Sequence, residues 1–271
     1  SIIVVIFASL AFRETAMRVD PNSLQLILQA DTSKIQQQAN ACQSQIDAVY
    51  DVIKSDTDTK GAAYDSARDY LSQVKLPALQ CQVIFLDALM SDINADIEAL
   101  SSFEGEVLDS SELETKISMY DQLICNLEEK LRGTVDKGPT FACSLEQLIS
   151  LYRTAQNRLQ QKLQILNSYT SNSSIYSNSC QEVSRLKEAT NALGQVSYSA
   201  STNIYDLSQV TNGSWNSDEM QSKYWKSVID LFLNNKNALP SIRAYILNEL
   251  KGTNDSTLFG GDPVNLSTGN F

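Results

Sequence analysis

Histidine is missing from all 271 residues. Its absence removes the commonest general base, the commonest metal ligand and every Ser-His or Cys-His nucleophile pair. Proline and glycine are scarce, at five and ten residues, which leaves room for long helices. Basic residues are outnumbered, 21 against 32 acidic, for a formal charge of −11 at pH 7. Such a surface repels nucleic acid and anionic lipid, so neither is expected as a partner. The five cysteines, Cys42, Cys81, Cys125, Cys143 and Cys180, form no CxxC pair. They read first as small buried hydrophobes in a reducing compartment, with disulfides the alternative and a zinc site a distant third. No cofactor or metal site is expected.

What is present is helical periodicity. Ile35, Ala39, Cys42, Ile46, Val49 and Ile53 follow one another at steps of four and three, the seam of a coiled coil, and Leu24 and Leu28 extend it backwards. This first helix is predicted from Pro21 to Lys54, with Pro21 in its first turn. It halts at 55–61, where Gly61 supplies a left-handed position. Asp56, Asp58 and Gly61 open like a calcium loop, but Lys60 and Ala67 occupy ligand positions, so a polar turn is the better reading.

A second helix carries two overlapping stripes, Ala67 to Ala88 and Leu86 to Leu100, with Pro77 expected to kink or break it. Two stripes imply a bundle of three or more helices. Residues 101–111 read as a loop with Ser110 or Ser111 capping the next helix. Its seam is Leu113, Ile117, Tyr120, Ile124, Leu127 and Leu131. A fourth helix follows Pro139, with Leu145, Leu148, Tyr152, Ala155, Leu159, Leu163 and Leu166 inward and Gln156, Gln160, Gln161 and Gln164 solvated. Residues 167–179 read as a loop. A fifth helix is predicted from Val183 through Leu207, broken at 211–218 around Trp215, and a sixth follows.

The fold expected is all-α: an elongated helical bundle of two long helix–turn–helix hairpins with an irregular tail. Four stretches are delimited: an apolar segment over 1–16, helical regions over 17–135 and 141–251, and a polar linker over 252–271. Residues 1–12 are too short for a membrane span. They read as upstream or appended sequence before a natural start at Met17, or as an apolar segment packed on the helices, with a cleaved signal the weakest reading. No uninterrupted span of membrane length is expected elsewhere. Glu112 with Glu114, and Glu128 with Glu129, read as solvated helix faces and not as an acid–base dyad.

Two motifs resemble known sequences. Thr59-Lys-Gly61, followed by Tyr64 and then Leu76-Pro-Ala-Leu79, resembles the amino-terminal LXG domain of Gram-positive polymorphic toxins, with Gly61 and Pro77 at its glycine and proline. The tail Gly261-Asp-Pro-Val-Asn-Leu-Ser-Thr-Gly-Asn-Phe271 resembles the lead-in to Rhs/YD-repeat toxin shells. Trp215-Asn-Ser217 sits at the second turn in the manner of a WXG hairpin. The resemblance implies a secretion-targeting adaptor that binds small helical WXG-like chaperones and is exported by a type VII system, engaging its ATPase. It implies export from Gram-positive cells without a cleaved signal, after residence in the cytoplasm, with no stable membrane insertion. It also implies that any toxin enzyme lies beyond Phe271.

The partner-binding residues expected are Leu24, Leu28, Ile35, Cys42, Ile46, Val49 and Ile53, with Thr59, Gly61 and Trp215 at the turns. Tyr245-Ile-Leu-Asn-Glu249 fits the Tyr-x-x-x-Glu export motif, although an ordinary core tyrosine beside a surface glutamate is the better reading. The competing function is a coiled-coil spacer or self-associating bundle with no export role. An enzyme is the remaining class, disfavoured by the lack of a nucleophile–base pair.

Overall fold

The computed structural model describes residues 18–54, 61–133, 139–234 and 239–252. The apolar leader, Thr59 and the tail motif at 261–271 lie outside them. The described chain is all-α, with four short strands in two pairs. In order come β1 (Arg18–Val19), α1 (Pro21–Lys54), α2 (Ala62–Tyr70), α3 (Leu76–Leu100), β2 (Leu108–Asp109), α4 (Ser110–Arg132) and α5 (Pro139–Ser171). Then follow α6 (Ser177–Gln195), β3 (Ser197–Ser199), β4 (Ile204–Asp206), α7 (Asp218–Val228) and α8 (Pro240–Gly252).

The chain divides into two compact units, each built from two separate stretches of sequence. One comprises the chain up to Gln29 with Ala95–Ile175, and the other comprises Ala30–Asn94 with Tyr176 onward.

In the first unit, β1 pairs antiparallel with β2, Val19 opposite Leu108. Each strand hands its chain directly to a capped helix. Asp20 accepts from the Ser23 amide at 3.2 Å and its hydroxyl at 2.9 Å. Asp109 accepts from the amides of Ser111 at 2.9 Å and Glu112 at 3.2 Å. Asp109, not Ser110 or Ser111, is thus the cap of α4, because its extended backbone turns the carboxylate onto the first free amides. Both carboxyls are held below their usual range, Asp20 chiefly by the Ser23 amide and Asp109 chiefly by the Ser111 hydroxyl. Phe103 meets Tyr169 edge-on at 5.2 Å, and the Tyr169 hydroxyl donates to buried Asp96 at 2.9 Å.

In the second unit, Pro77 does not break the helical run, which continues on both sides of it. A π-helical turn, Leu71–Lys75, joins α2 to α3, and the Leu76 amide donates to the Leu71 carbonyl. Proline has no amide to donate and crowds the carbonyl four residues back, and one wider turn accommodates both defects. Gly61 has φ 148° and ψ 151°, a conformation open to glycine but distinct from the left-handed helical one expected.

The fifth helix stops at Gln195, not at Leu207. Ser197–Ser199 and Ile204–Asp206 form a β-hairpin, with Asn203 at φ 56° in its turn. It docks on α2: Tyr205 stacks on Tyr70 with centroids 4.6 Å apart, and the Tyr205 amide donates to the Ser66 hydroxyl at 2.7 Å. The loop expected over 167–179 is also mostly helical, since α5 runs to Ser171 and α6 begins at Ser177.

The core of this unit is lined by α1 from Ile35 onward, α3, and α7 with the π-helical turn Ile229–Leu233 that extends it. Several buried polar side chains in it are paired. The Tyr224 hydroxyl donates to Gln43 at 3.2 Å, Gln221 to Gln80 at 2.7 Å, and Gln80 to the Tyr50 hydroxyl at 3.2 Å. Asp92 of α3 accepts from the Ser179 amide at 2.7 Å and the Asn178 side chain at 2.8 Å, so a carboxyl from another helix covers the N-terminus of α6.

Candidate functional site

Most of the α1 stripe expected to receive partners is already occupied. Leu28, Ile35, Cys42 and Ile46 are buried, with Ile46 0% exposed, while Leu24, Val49 and Ile53 are half-buried. The Cys42 thiol donates to the Leu79 carbonyl at 3.3 Å. Burial pushes the thiols of Cys42 and Cys81 up to about 12, as for inert core cysteines. The seam is therefore a core element: the stripe periodicity recorded burial correctly, but α3 and α7 supply the cover. Leu28, Ile35, Cys42 and Ile46 are thus withdrawn from solvent by the chain itself, while Leu24, Val49 and Ile53 stay half-exposed.

The turn residue Trp215 is also internal, 1% exposed, in a short 3₁₀ turn (Ser214–Asn216) between the β-hairpin and α7. Its indole N–H donates to the Thr211 carbonyl at 3.2 Å, and its own carbonyl accepts from Cys81 at 3.2 Å. Glu188 holds the turn by accepting from the Ser214 amide at 3.0 Å. A side chain on Gly213 would place its Cβ 2.8 Å from Glu188 Oε2 and 3.2 Å from the Trp215 ring, so it would have to displace the glutamate that holds this turn. Tyr245 is half-buried on α8, and Glu249 lies on the same helix.

Exposed large apolar side chains are spread over the described residues, Leu26 and Ile27 of α1 among them, and three fall on the α4/α5 pair. In the first unit, α4 and α5 pack along each other as an antiparallel pair. Tyr120 meets Tyr152 with centroids 5.7 Å apart. One edge of this pair is laced. Gln156, expected to be solvated, is buried and donates to Asp121 and to the Ile117 carbonyl, while Arg153 pairs with Glu128.

The opposite edge is open. Leu123 precedes seam residue Ile124, and Leu151 precedes seam residue Tyr152. In an antiparallel pair these positions fall on the same side, and Met119 lies one turn before Leu123. The three are 56% (Met119), 41% (Leu123) and 61% (Leu151) exposed. Sequence reading missed them because a two-helix seam explains α4 and α5 without them. The available signal was an apolar residue at a position just outside the seam on both helices.

The second unit carries a cleft of about 1240 Å³, lined by polar side chains from α1, α3, α6 and α7. Asp87 sits in it, and burial pushes its carboxyl up to about 7, against the opposing hydrogen bond from Ser227; Asp230 raises it and Lys226 lowers it. No aromatic side chain lines the cleft. Among the described residues no group of three or more Cys, Asp or Glu side chains is placed to hold a metal ion.

The helical run Ala62–Phe103 is long and apolar enough by composition to cross a bilayer, contrary to the expectation that no such span exists. Its most apolar window is 72% buried within the fold, the pattern of a core helix. Compared with protein-family models, curated proteins and solved structures, the chain matches none.

Proposed function

We propose that this chain is a targeting adaptor: it captures small helical partners and, as the LXG-like and Rhs-like motifs imply, directs a toxin body to type VII export. The observation that carries the binding half of this reading is the open edge of the α4/α5 pair, where Met119, Leu123 and Leu151 lie exposed. A third helix laid there completes a bundle, in the manner of helix-in-groove recognition. Each side chain so covered contributes about 1.5–3 kcal/mol before ordering costs. The targeting half rests on Gly61, Pro77, Trp215, the tail motif and the Tyr245/Glu249 spacing.

The second reading is a self-contained structural spacer, and burial of the α1 stripe favours it. An export assay separates the two. In the native host, deleting the small helical proteins encoded beside this chain should abolish its appearance in the medium. Unchanged export, or recovery of the chain without any such protein, would favour the spacer. Glu249→Ala should block export if the Tyr245/Glu249 motif is the signal, and normal export would return Tyr245 to an ordinary structural role.

A further inference from the structure

We infer that Asn212–Gly213 is a self-modification site, held unreacted by Asn216, whose conversion to aspartate or isoaspartate unpins Trp215. The site lies within the second unit and is independent of the adaptor reading.

Asparagine is chemically labile, most of all before glycine, because no Cβ shields the following amide nitrogen. Hydroxide removes the Gly213 amide proton, and the nitrogen attacks Cγ of Asn212. A C–N bond forms, the side-chain nitrogen leaves as ammonia, and a five-membered imide remains. Water opens the imide at one carbonyl to give aspartate, or at the other to give isoaspartate. In the second product the main chain runs through the former side chain. The sum consumes one water and releases one ammonia, with no change of oxidation state.

Asn212 and Gly213 are both exposed, so water and hydroxide reach them. Each reacting group is nevertheless held. The Gly213 amide donates to Asn216 Oδ1 at 3.0 Å, and Asn216 Nδ2 donates to Asn212 Oδ1 at 2.8 Å. One side chain thus retains the proton that must leave and fixes the carbonyl that must be attacked. Glu188 Oε2 accepts from the amide and the hydroxyl of Ser214, at 3.0 and 2.8 Å. Its charge beside the Gly213 peptide opposes an amide anion there. Cyclisation therefore waits for local opening of the turn.

The segment is pinned on both sides of the site. Thr211 donates its amide to Gln195 at 3.3 Å and accepts the Trp215 indole N–H at 3.2 Å. Ser214 is held by Glu188. Isoaspartate lengthens the backbone between these anchors, and either product sets a new carboxylate near Glu188. The buried indole then loses its acceptor, and because ammonia departs the change runs one way.

The test incubates the full chain at neutral pH beside a synthetic peptide of residues 208–217, and follows Asn212 by peptide mapping in a mass spectrometer. The folded chain should convert at least tenfold more slowly than the peptide. Asn216→Ala should speed the folded chain at least fivefold. Glu188→Gln, which keeps the acceptor and removes the charge, should speed it at least twofold. In a Trp225→Phe background, where Trp215 alone reports, emission should shift to the red as product accumulates, and Asn212→Gln should suppress both conversion and shift.

Equal rates in chain and peptide overturn the inference, as does slower conversion in Asn216→Ala. An unchanged Glu188→Gln rate overturns it too, and decides the matter where Asn216→Ala does not fold. Full conversion with unaltered tryptophan emission overturns the link to Trp215.

Discussion

The α1 seam in the second unit and the α4/α5 pair in the first begin from the same heptad arithmetic and end in opposite states. Ile35, Cys42 and Ile46 are covered by their own chain. Along α4, the seam residues meet α5, but Met119 and Leu123 stay 56% and 41% exposed. The seam of a coiled coil therefore says that a helix has an apolar face, not who covers it. That depends on the number of helices that converge, and the second unit brings several together where the α4/α5 pair is two.

The largest break in that comparison comes from charge. Ile46→Asp places a carboxylate at a fully buried position with no partner. The expected cost is at least about 4 kcal/mol, most of the stability of a typical domain. Loss of the cooperative melt in circular dichroism checks it. A folded Ile46→Asp variant would mean that α1 is accessible and would restore it as a docking face.

Asp92→Asn asks whether the second unit depends on its polar links as well as its seam. The carboxyl is buried and serves two donors, the Ser179 amide and the Asn178 side chain. Losing a charge-assisted bond at a helix N-terminus should cost about 2 kcal/mol. Hydrogen exchange should rise first in the amides opening α6. An unchanged denaturation midpoint would show that α6 is held by packing alone.

The fold class, both ends of α1, the α4 seam and the break at Pro139 were legible because 3.6-residue periodicity survives in any helical packing. The β-hairpin was not, because Ile204 and Leu207 happen to continue the α6 spacing. The contrary signals, the alternation in Val196-Ser-Tyr-Ser199 and the turn-prone Asn203, are only a few residues long. Pro77 was read as a break because the π-helical turn that absorbs it leaves no composition signal. The open edge was illegible because exposure of Leu123 and Leu151 depends on the absence of a third helix, which no local pattern records. Gln156 was misplaced for a related reason: a polar residue beside a seam is solvated unless its neighbour across the pair, here Asp121, offers an acceptor.

A smaller effect separates the units by pH. Asp87 has its carboxyl raised from 3.8 to about 7 by burial, so the unfolded chain releases this proton first. Stability from this group is intact below about pH 4 and is lost as pH rises through about 7. The full shift corresponds to at most about 4 kcal/mol, and water entering the cleft reduces it. Asp87→Asn should therefore melt higher than the parent at pH 8 by about 1–2 kcal/mol of stability, with the difference vanishing at pH 4. A parallel pH dependence in both proteins would mean that Asp87 is ionised at no cost, and that the cleft is wetter than its lining implies.

The smallest expected effect is also the most telling. Leu123→Asp sits on α4 just outside the seam, at a side chain 41% exposed. It loses only part of a leucine's burial, so stability should change by no more than about 1 kcal/mol, against near-complete loss for Ile46→Asp. A carboxylate there also replaces apolar surface on the exposed edge with charge. Capture of a helical partner should therefore fall while the melt stays put. A large destabilisation by Leu123→Asp would mean that the edge is covered by the chain itself, and the contrast between a closed seam and an open one would disappear.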